Sequence, residues 1–434
     1  MRAMKDSGIE WIGQIPQEWE ISRVKYLYDV TLGKMLQPAP KSDDDELCSY
    51  MCAANINWSG VDLSVEKKMW FSAKDKESYR LAAGDLLVTE GGDVAVSCIW
   101  NDELPECYIQ NAVHRVRPKS DARNRYLYYW LSTLKATGYI DLVCNKATLA
   151  HFTKDKFDSC VIPVVSADEQ HTIANYLDAK CAEIDALIAA KEKTNALLKE
   201  RRQSIIYEAV TKGLNPDAPM KDSGIEWIGQ IPGNWTTWRM KHLASEPLQY
   251  GANATGVEFR EDIPRYVRIT DITADRKLSN DGKQSLETDI AQDYMLEDGD
   301  ILFARSGATS GKSFYYEDKY GPCCFAGYLI NLRTDNRKAL SKFLYYYTLT
   351  QAYENWTQQI FIQATIQNIS ADKYNNLWFA IPGSLEEQAD IVAYLDQRCS
   401  EMDELISANE ATIQKLKEYR QSIIYEAVTG KIEV

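Results

Sequence analysis

No run of eighteen apolar residues occurs in this chain, so the sequence predicts no membrane-spanning helix. It also lacks the charged-then-apolar start and cleavage site of a secretory leader. The ten cysteines contain no CxxC pair, and the four histidines, His114, His151, His171 and His242, share neither a helical face nor a ligand spacing with them. That argues against a zinc pattern or a disulfide framework, and the expectation is a reduced, cytoplasmic protein without a metal. Net positive charge is missing as well. There are 49 Lys+Arg against 63 Asp+Glu, a net −14. The acid is unevenly placed, however: residues 20–165 carry 18 basic and 20 acidic side chains, residues 236–383 carry 16 and 18, and −10 lies outside these two stretches. Locally basic faces therefore remain open to them.

Catalytic signatures are missing too. There is no Asn/Asp-Pro-Pro-aromatic methyltransferase motif and no glycine-rich cofactor loop behind a strand. The stretch SGATSGKS at 306–313 nearly matches a nucleotide phosphate loop, but Ser306 holds the first glycine position and no companion strand ends in an aspartate for magnesium. Asp62, Glu66, Lys67 and Lys68 loosely resemble a nuclease carboxylate set, yet the second half of the chain has no counterpart and such runs are common on surfaces. No cofactor and no enzymatic activity are expected of this chain.

What the sequence has instead is a duplication. MKDSGIEWIGQIP opens at Met4 and recurs at Met220. Further pairs follow at nearly the same offset: Gly84-Asp85-Leu86-Leu87 with Gly299-Asp300-Ile301-Leu302, Ile162-Pro163 with Ile381-Pro382, Glu169-Gln170…Tyr176-Leu177-Asp178 with Glu387-Gln388…Tyr394-Leu395-Asp396, and RQSIIYEAVT at 202–211 and 420–429. The opening segments and closing stretches are close to identical, whereas residues 20–147 and 236–364 share only sparse landmarks. This reads as one scaffold built twice around two different variable modules.

The closing stretches carry heptads. Leu177, Ile184, Lys191, Leu198 and Ile205 recur every seven residues, with Cys181, Ile188, Asn195, Arg202 and Ala209 four later. The second copy has Leu395, Met402, Asn409, Leu416 and Ile423 with Cys399, Ile406, Ile413, Arg420 and Ala427. No proline interrupts the first, and Gly213 and Pro216 stop it. A helix of about 46 residues would run roughly 70 Å, too long for one small core, so the two are expected to bury their seams against each other. The polar Lys191 and Asn195 suit fixing register. The short link at 214–219 allows antiparallel helices and an internal pseudo-two-fold.

Each module mixes strand and helix. GDILFA and YLINL read as buried strands, and YLYYWLST and FLYYYTLT as the same amphipathic helix in each copy; the modules' many aromatic residues read mainly as core and edge packing. The expected architecture is α+β: two globular mixed α/β domains joined by two long antiparallel coiled-coil helices, divided as 1–165, 166–213, 214–383 and 384–434. The polar loops between elements are candidate nucleic-acid readers, since Gln, Asn, Arg and Thr suit base edges, although the same types fill ordinary turns. The candidates are Thr89, Gly91, Gly92, Lys146, Thr148 and His151 in the first module, and Arg305, Ser306, Thr309, Lys312, Gln363, Thr365, Gln367 and Asn368 in the second. Arg305 and Lys312 flank a glycine-rich turn suited to a phosphate.

These motifs carry a resemblance. The opening MKDSGIEWIGQIPxxW, YVRITDI, LEDGDILFARSG, the IP…EEQ…I…YLD start of each long helix and the RQSIIYEAVTKG ending resemble the specificity subunits of type I restriction-modification systems, across essentially the whole chain in two copies. One departure is VVSADEQ at 164–170 and PGSLEEQ at 382–388 where that family often writes PPLxEQ. The resemblance implies two target-recognition domains, each reading half of a split double-stranded DNA site through the major groove. It implies no activity in the chain itself. Partner modification subunits, two of them, would bind S-adenosylmethionine and methylate adenine; restriction subunits would bring ATP, Mg and cleavage. The rival reading, favoured by the acidic charge, is a coiled-coil adaptor with two protein-binding modules and no DNA function.

Overall fold

The thirteen-residue repeat folds as the same hairpin twice in the computed structural model, which describes residues 2–144, 150–307, 309–362 and 368–434. Met4–Asp6 pairs antiparallel with Gln14–Pro16, and Met220–Asp222 with Gln230–Pro232, in identical register. The turns are also the same: Asp6 and Asp222 accept from the amides of Gly8 and Gly224, both at 2.9 Å, an Asx-type turn. Beyond each hairpin a buried tryptophan donates to the glutamate that begins a long helix, Trp19 to Glu169 at 3.1 Å and Trp235 to Glu387 at 2.8 Å. The adjoining glutamine accepts from the first turn of the amphipathic helix, Arg123 N to Gln170 Oε1 at 2.9 Å and Leu340 N to Gln388 Oε1 at 2.8 Å. The aspartate of the YLD motif accepts from a tyrosine hydroxyl of the same helix, Tyr129 to Asp178 at 2.6 Å and Tyr346 to Asp396 at 2.5 Å. The repeated letters are therefore contacts: each fixes a module to its helix.

The chain forms two compact units, Met1–Lys191 with Glu410–Val434, and Glu192–Asn409. Their borders fall inside the long helices, so each unit takes a part of both. In the first unit a four-stranded antiparallel sheet runs Ser97–Ile99, Leu86–Thr89, Val113–Pro118, Tyr28–Leu32. The second unit has the same order in Ser313–Tyr315, Ile301–Ala304, Leu329–Leu332, Gln249–Tyr250. Beside it lies a second sheet in each unit, with Tyr108–Ile109 parallel to Glu46–Met51 in one and Cys323–Phe325 parallel to Arg265–Val267 in the other. GDILFA and YLINL are buried strands as expected, because both faces of the sheet are covered. The Gly-Asp landmark has a physical reason too: Asp85 and Asp300 are buried, and each caps its own turn while chelating an arginine across the sheet, Arg117 at 2.6 and 2.8 Å and Arg333 at 3.1 and 2.9 Å.

The amphipathic helices differ in length. The first spans Asn124–Ala136; the second stops at Tyr347, and Gln351–Ile362 begins a new helix. Thr348 and Thr350 turn their hydroxyls back to the carbonyls of Tyr345 and Tyr347 at 2.6 and 2.7 Å, and the Thr350 hydroxyl also accepts from Tyr353 N at 3.4 Å, so the threonine pair ends one helix and caps the next. Pattern alone made the two stretches look alike.

The central helix is Ala167–Lys212 and the C-terminal helix Leu385–Val428. In the second unit Asn195 faces Asn409, with Nδ2 of Asn409 donating at 2.8 Å, and Arg202 faces Asp403 at 3.2 Å. Numbers rise on one helix as they fall on the other, so the pair is antiparallel. In the first unit Arg420 lies 3.1 Å from Asp185, the repeat-equivalent pair with helices exchanged. The heptad positions Leu177, Ile184, Ile188, Ile205, Leu395, Met402, Ile406 and Ile423 are buried; Leu198 and Leu416 are half-buried against the cores. Gly213 and Gly430 terminate the helices in left-handed conformations, φ 75° and 68°. The cysteines are all free and nine are buried. Among the described residues no helix is long and apolar enough to cross a membrane.

Candidate nucleic-acid interface

The two four-stranded sheets present their loops through one shared backbone frame. The amides of Gly33 and Gly251 donate to the carbonyls of Val113 and Leu329, at 3.0 and 3.2 Å; Lys34 and Ala252 to Ile109 and Phe325, at 3.0 and 2.8 Å. Glu90 and Arg305 donate to Ala112 and Tyr328, at 2.9 and 3.0 Å, and accept in turn from Phe152 and Ile369, both at 2.8 Å. Ala95 and Gly311 close the loops onto Thr89 and Ala304. The close crossing requires glycine at its centre: a Cβ on Gly33 would lie 2.5 Å from the Gln110 carbonyl carbon, and one on Gly251 2.5 Å from the Ala326 oxygen. So the frame is kept bond for bond while the residues mounted on it change.

In the first unit the frame carries Glu90 and His151, whose Nδ1 lies 3.1 Å from the carboxylate. Gly91 and Gly92 shape the turn between Thr89 and Ala95, Gly92 at φ 73°. Thr89 is not at the surface. It is 2 % exposed, and its hydroxyl donates to Asp93 O at 2.6 Å and accepts from Val96 N at 3.0 Å, so its proton is spent closing the loop and it is buried away from a ligand. Met35 and Leu36 stand on the neighbouring rim and are 76 % and 57 % exposed. Lys146 and Thr148 lie outside the described residues.

In the second unit the equivalent position is Arg305. Its guanidinium lies over the Tyr250 ring, 4.8 Å from the centroid, a stacking contact that also fixes the plane of its donors. Tyr250 is held by its hydroxyl, which accepts from Ala371 N at 2.9 Å. Ser306 bridges Asn368, and the Ser310 hydroxyl closes onto the Arg305 carbonyl at 3.0 Å. Thr309 accepts the Lys312 amide at 2.9 Å, so Lys312 leaves the turn beside Arg305. Gly307 and Gly311 take left-handed φ of 77° and 86°. A strand, Ser313–Tyr315, follows the loop where a nucleotide phosphate loop would lead into a helix, so the near-match at 306–313 has the wrong context. Gln363, Thr365 and Gln367 lie outside the described residues. Sequence reading missed Glu90, Tyr250 and Tyr328; aligning the two copies by the Gly-Asp strand and counting to its end would have placed Glu90 opposite Arg305.

A cleft of about 620 Å³ opens beside Arg305, between the Tyr250–Ala254 turn and the Ala326–Tyr328 turn. Tyr328 stands 62 % exposed at its edge. Aromatic faces and an arginine fork thus stand at one rim, and an arginine fork is chemistry suited to a base edge.

The comparisons with known proteins agree. The family described as the type I restriction modification DNA specificity domain matches residues 16–199 and 264–417. Among curated relatives, the specificity subunit of the type I restriction enzyme StySPI of Salmonella potsdam is 25 % identical over 433 residues, covering 97 % of this chain and 90 % of its own. The chain also shares its fold with a chain from a structural study of complex assembly and conformational transition in the type I R-M system, with TM-score 0.73, 17 % identity and coverage of 96 % and 99 %. The HsdS subunit from Thermoanaerobacter tengcongensis aligns with TM-score 0.52 and 16 % identity over 96 % of this chain and 98 % of that one. Most of both modules and of both long helices fall within the family match, and the chain belongs to the type I restriction-modification DNA specificity family.

Proposed function

We propose that this chain reads an asymmetric, bipartite double-stranded DNA site, one half-site per module, and docks the modification and restriction subunits of a type I complex on its repeated scaffold. One observation carries the reading: an identical backbone frame, built twice, presents opposite charges at the same position, Glu90 in one module and Arg305 in the other. A frame conserved for mounting and varied at its tips is what two different half-sites require. The chain itself supplies recognition; S-adenosylmethionine, ATP and Mg belong to the partner subunits. That a structural relative comes from a type I assembly study supports partners of this class. The long helices set the gap between half-sites.

The test is to replace residues 20–165 by a copy of 236–383, express the chain with its modification subunit and sequence the methylome. The expected product is a palindromic split motif. An unchanged motif refutes the reading. The adaptor alternative predicts that the complex shows no salt-dependent binding to duplex DNA, against the steep dependence expected of phosphate contacts.

A further inference from the structure

The second module spends its arginines on itself, with one exception. Arg260, Arg268, Arg333 and Arg337 each hold an aspartate. Arg239 donates to Asn376, Arg265 to the Ser279 carbonyl and Arg276 to Ser313. Arg305 alone among them has no hydrogen-bond acceptor and no carboxylate among the described residues, and its Nε is buried without a partner. A half-buried guanidinium left unpaired loses hydration without gaining a bond, which is unfavourable unless a ligand supplies the acceptors. The fold nevertheless fixes it: Tyr250 lies under it, the Ala371 amide fixes Tyr250, and both neighbours of the loop are tied by backbone bonds.

A planar fork aimed along a cleft rim, rather than at open solvent, matches two acceptors side by side in one plane. In duplex DNA the base edge with that pattern is guanine, through O6 and N7 in the major groove; a phosphate also accepts such a fork, but it accepts a lysine as a point charge too, which a guanine edge read by two parallel bonds does not replace. The exposed Tyr328 and the turn at Gly327 line the same cleft and leave room for the approaching edge. We infer that Arg305, clamped on Tyr250, reads a guanine in the half-site of the second module, with Tyr250 as its positioning residue. This rests on the function proposed above.

The test uses the complete chain with its modification subunits and methylome sequencing of the wild type, Arg305→Ala, Arg305→Lys and Tyr250→Ala. Arg305→Ala is expected to relax one G·C position in one half-site, lowering discrimination there roughly 5- to 150-fold, with the other half-site unchanged. Arg305→Lys keeps the charge but not the fork and should relax the same position; Tyr250→Ala should do so too. An unaltered motif in Arg305→Ala overturns the inference. So does a uniform loss of methylation at all sequences that Arg305→Lys restores, which marks a phosphate contact. If the wild-type complex methylates no bipartite motif, the functional proposal fails instead, and the two failures are told apart by that control.

Discussion

At the scale of the residue, the two copies disagree most informatively where the backbone agrees. His114 shows this inside the core. It is fully buried, one nitrogen contacts the Phe152 carbonyl at 2.7 Å, and the other has no partner. The matching position of the second sheet is Ile330, since Val113 and Leu329 accept equivalent bonds. Burial depresses the His114 pKa below its ordinary value, so the folded state resists a proton that the unfolded chain accepts. The resulting stability is complete above about pH 6.5 and is lost as pH falls below it, with a slope of at most about 1.4 kcal/mol per pH unit. His114→Leu should cost about 1 kcal/mol at neutral pH, for the carbonyl left unpaired, and should flatten the acid limb. Denaturant midpoints of both proteins between pH 7.5 and 5 check this; parallel acid limbs refute it. From sequence, none of this was readable. His114 offered no motif, and its burial depends on the strand pairing. Glu90 was likewise hidden, because its meaning comes from the position it shares with Arg305.

Elements were more legible. The heptads gave both long helices, because a 3.5-residue period sustained over about nine turns has few other readings, and Gly213 and Pro216 gave the stop of the first. The strands in GDILFA and YLINL followed from apolar runs bounded by glycine and polar residues. The broken second amphipathic helix did not, since a threonine that caps and a threonine that merely sits in a helix are the same letter. The helix ends make a quantitative contrast. A Cβ on Gly430 would lie 2.5 Å from Cδ of Pro16, whereas one on Gly213 meets nothing nearer than Trp235 at 3.4 Å. Gly213→Ala should therefore cost the left-handed backbone strain alone, about 1 kcal/mol. Gly430→Ala should cost that plus overlap with the opening hairpin, roughly 1–3 kcal/mol more. Urea unfolding of the two variants decides; equal losses would mean the hairpin yields. Mid-seam, Asn195 is buried and bonded to Asn409, and a polar pair at that depth favours the one register in which both amides meet.

At the scale of the whole molecule, the duplication was written plainly in thirteen repeated residues, and its contacts explain why they stayed identical. The helices give the test of spacing. Four residues inserted into each, next to Lys191 and next to Asn409, add about one turn, roughly 6 Å, against about 3.4 Å per base pair. The seam absorbs a four-residue insertion by local unwinding. The gap in the methylated motif should lengthen by about one to two base pairs with both half-sites intact; an active complex with the original gap refutes the helices as ruler.

The first unit is not continuous in the chain. Its core needs Ile413, Ile423, Ile424, Ala427 and Val428 beside Ile12, Ile15 and Trp19; Tyr425 donates to the Trp11 and Ile12 carbonyls at 3.1 and 3.0 Å, and Tyr126 to the Val428 carbonyl at 3.0 Å. Synthesis runs from the amino end, and domains ordinarily fold in the order they emerge. Here the order inverts. The first module leaves the ribosome early but waits, incompletely packed, until the final 25 residues, 410–434, arrive, while the second unit is whole once Asn409 is out. A chain stopped after Asn409 should keep a protease-resistant 192–409 core and lose 2–191 to digestion, so losing the later part of the second long helix should disable the module that precedes the first.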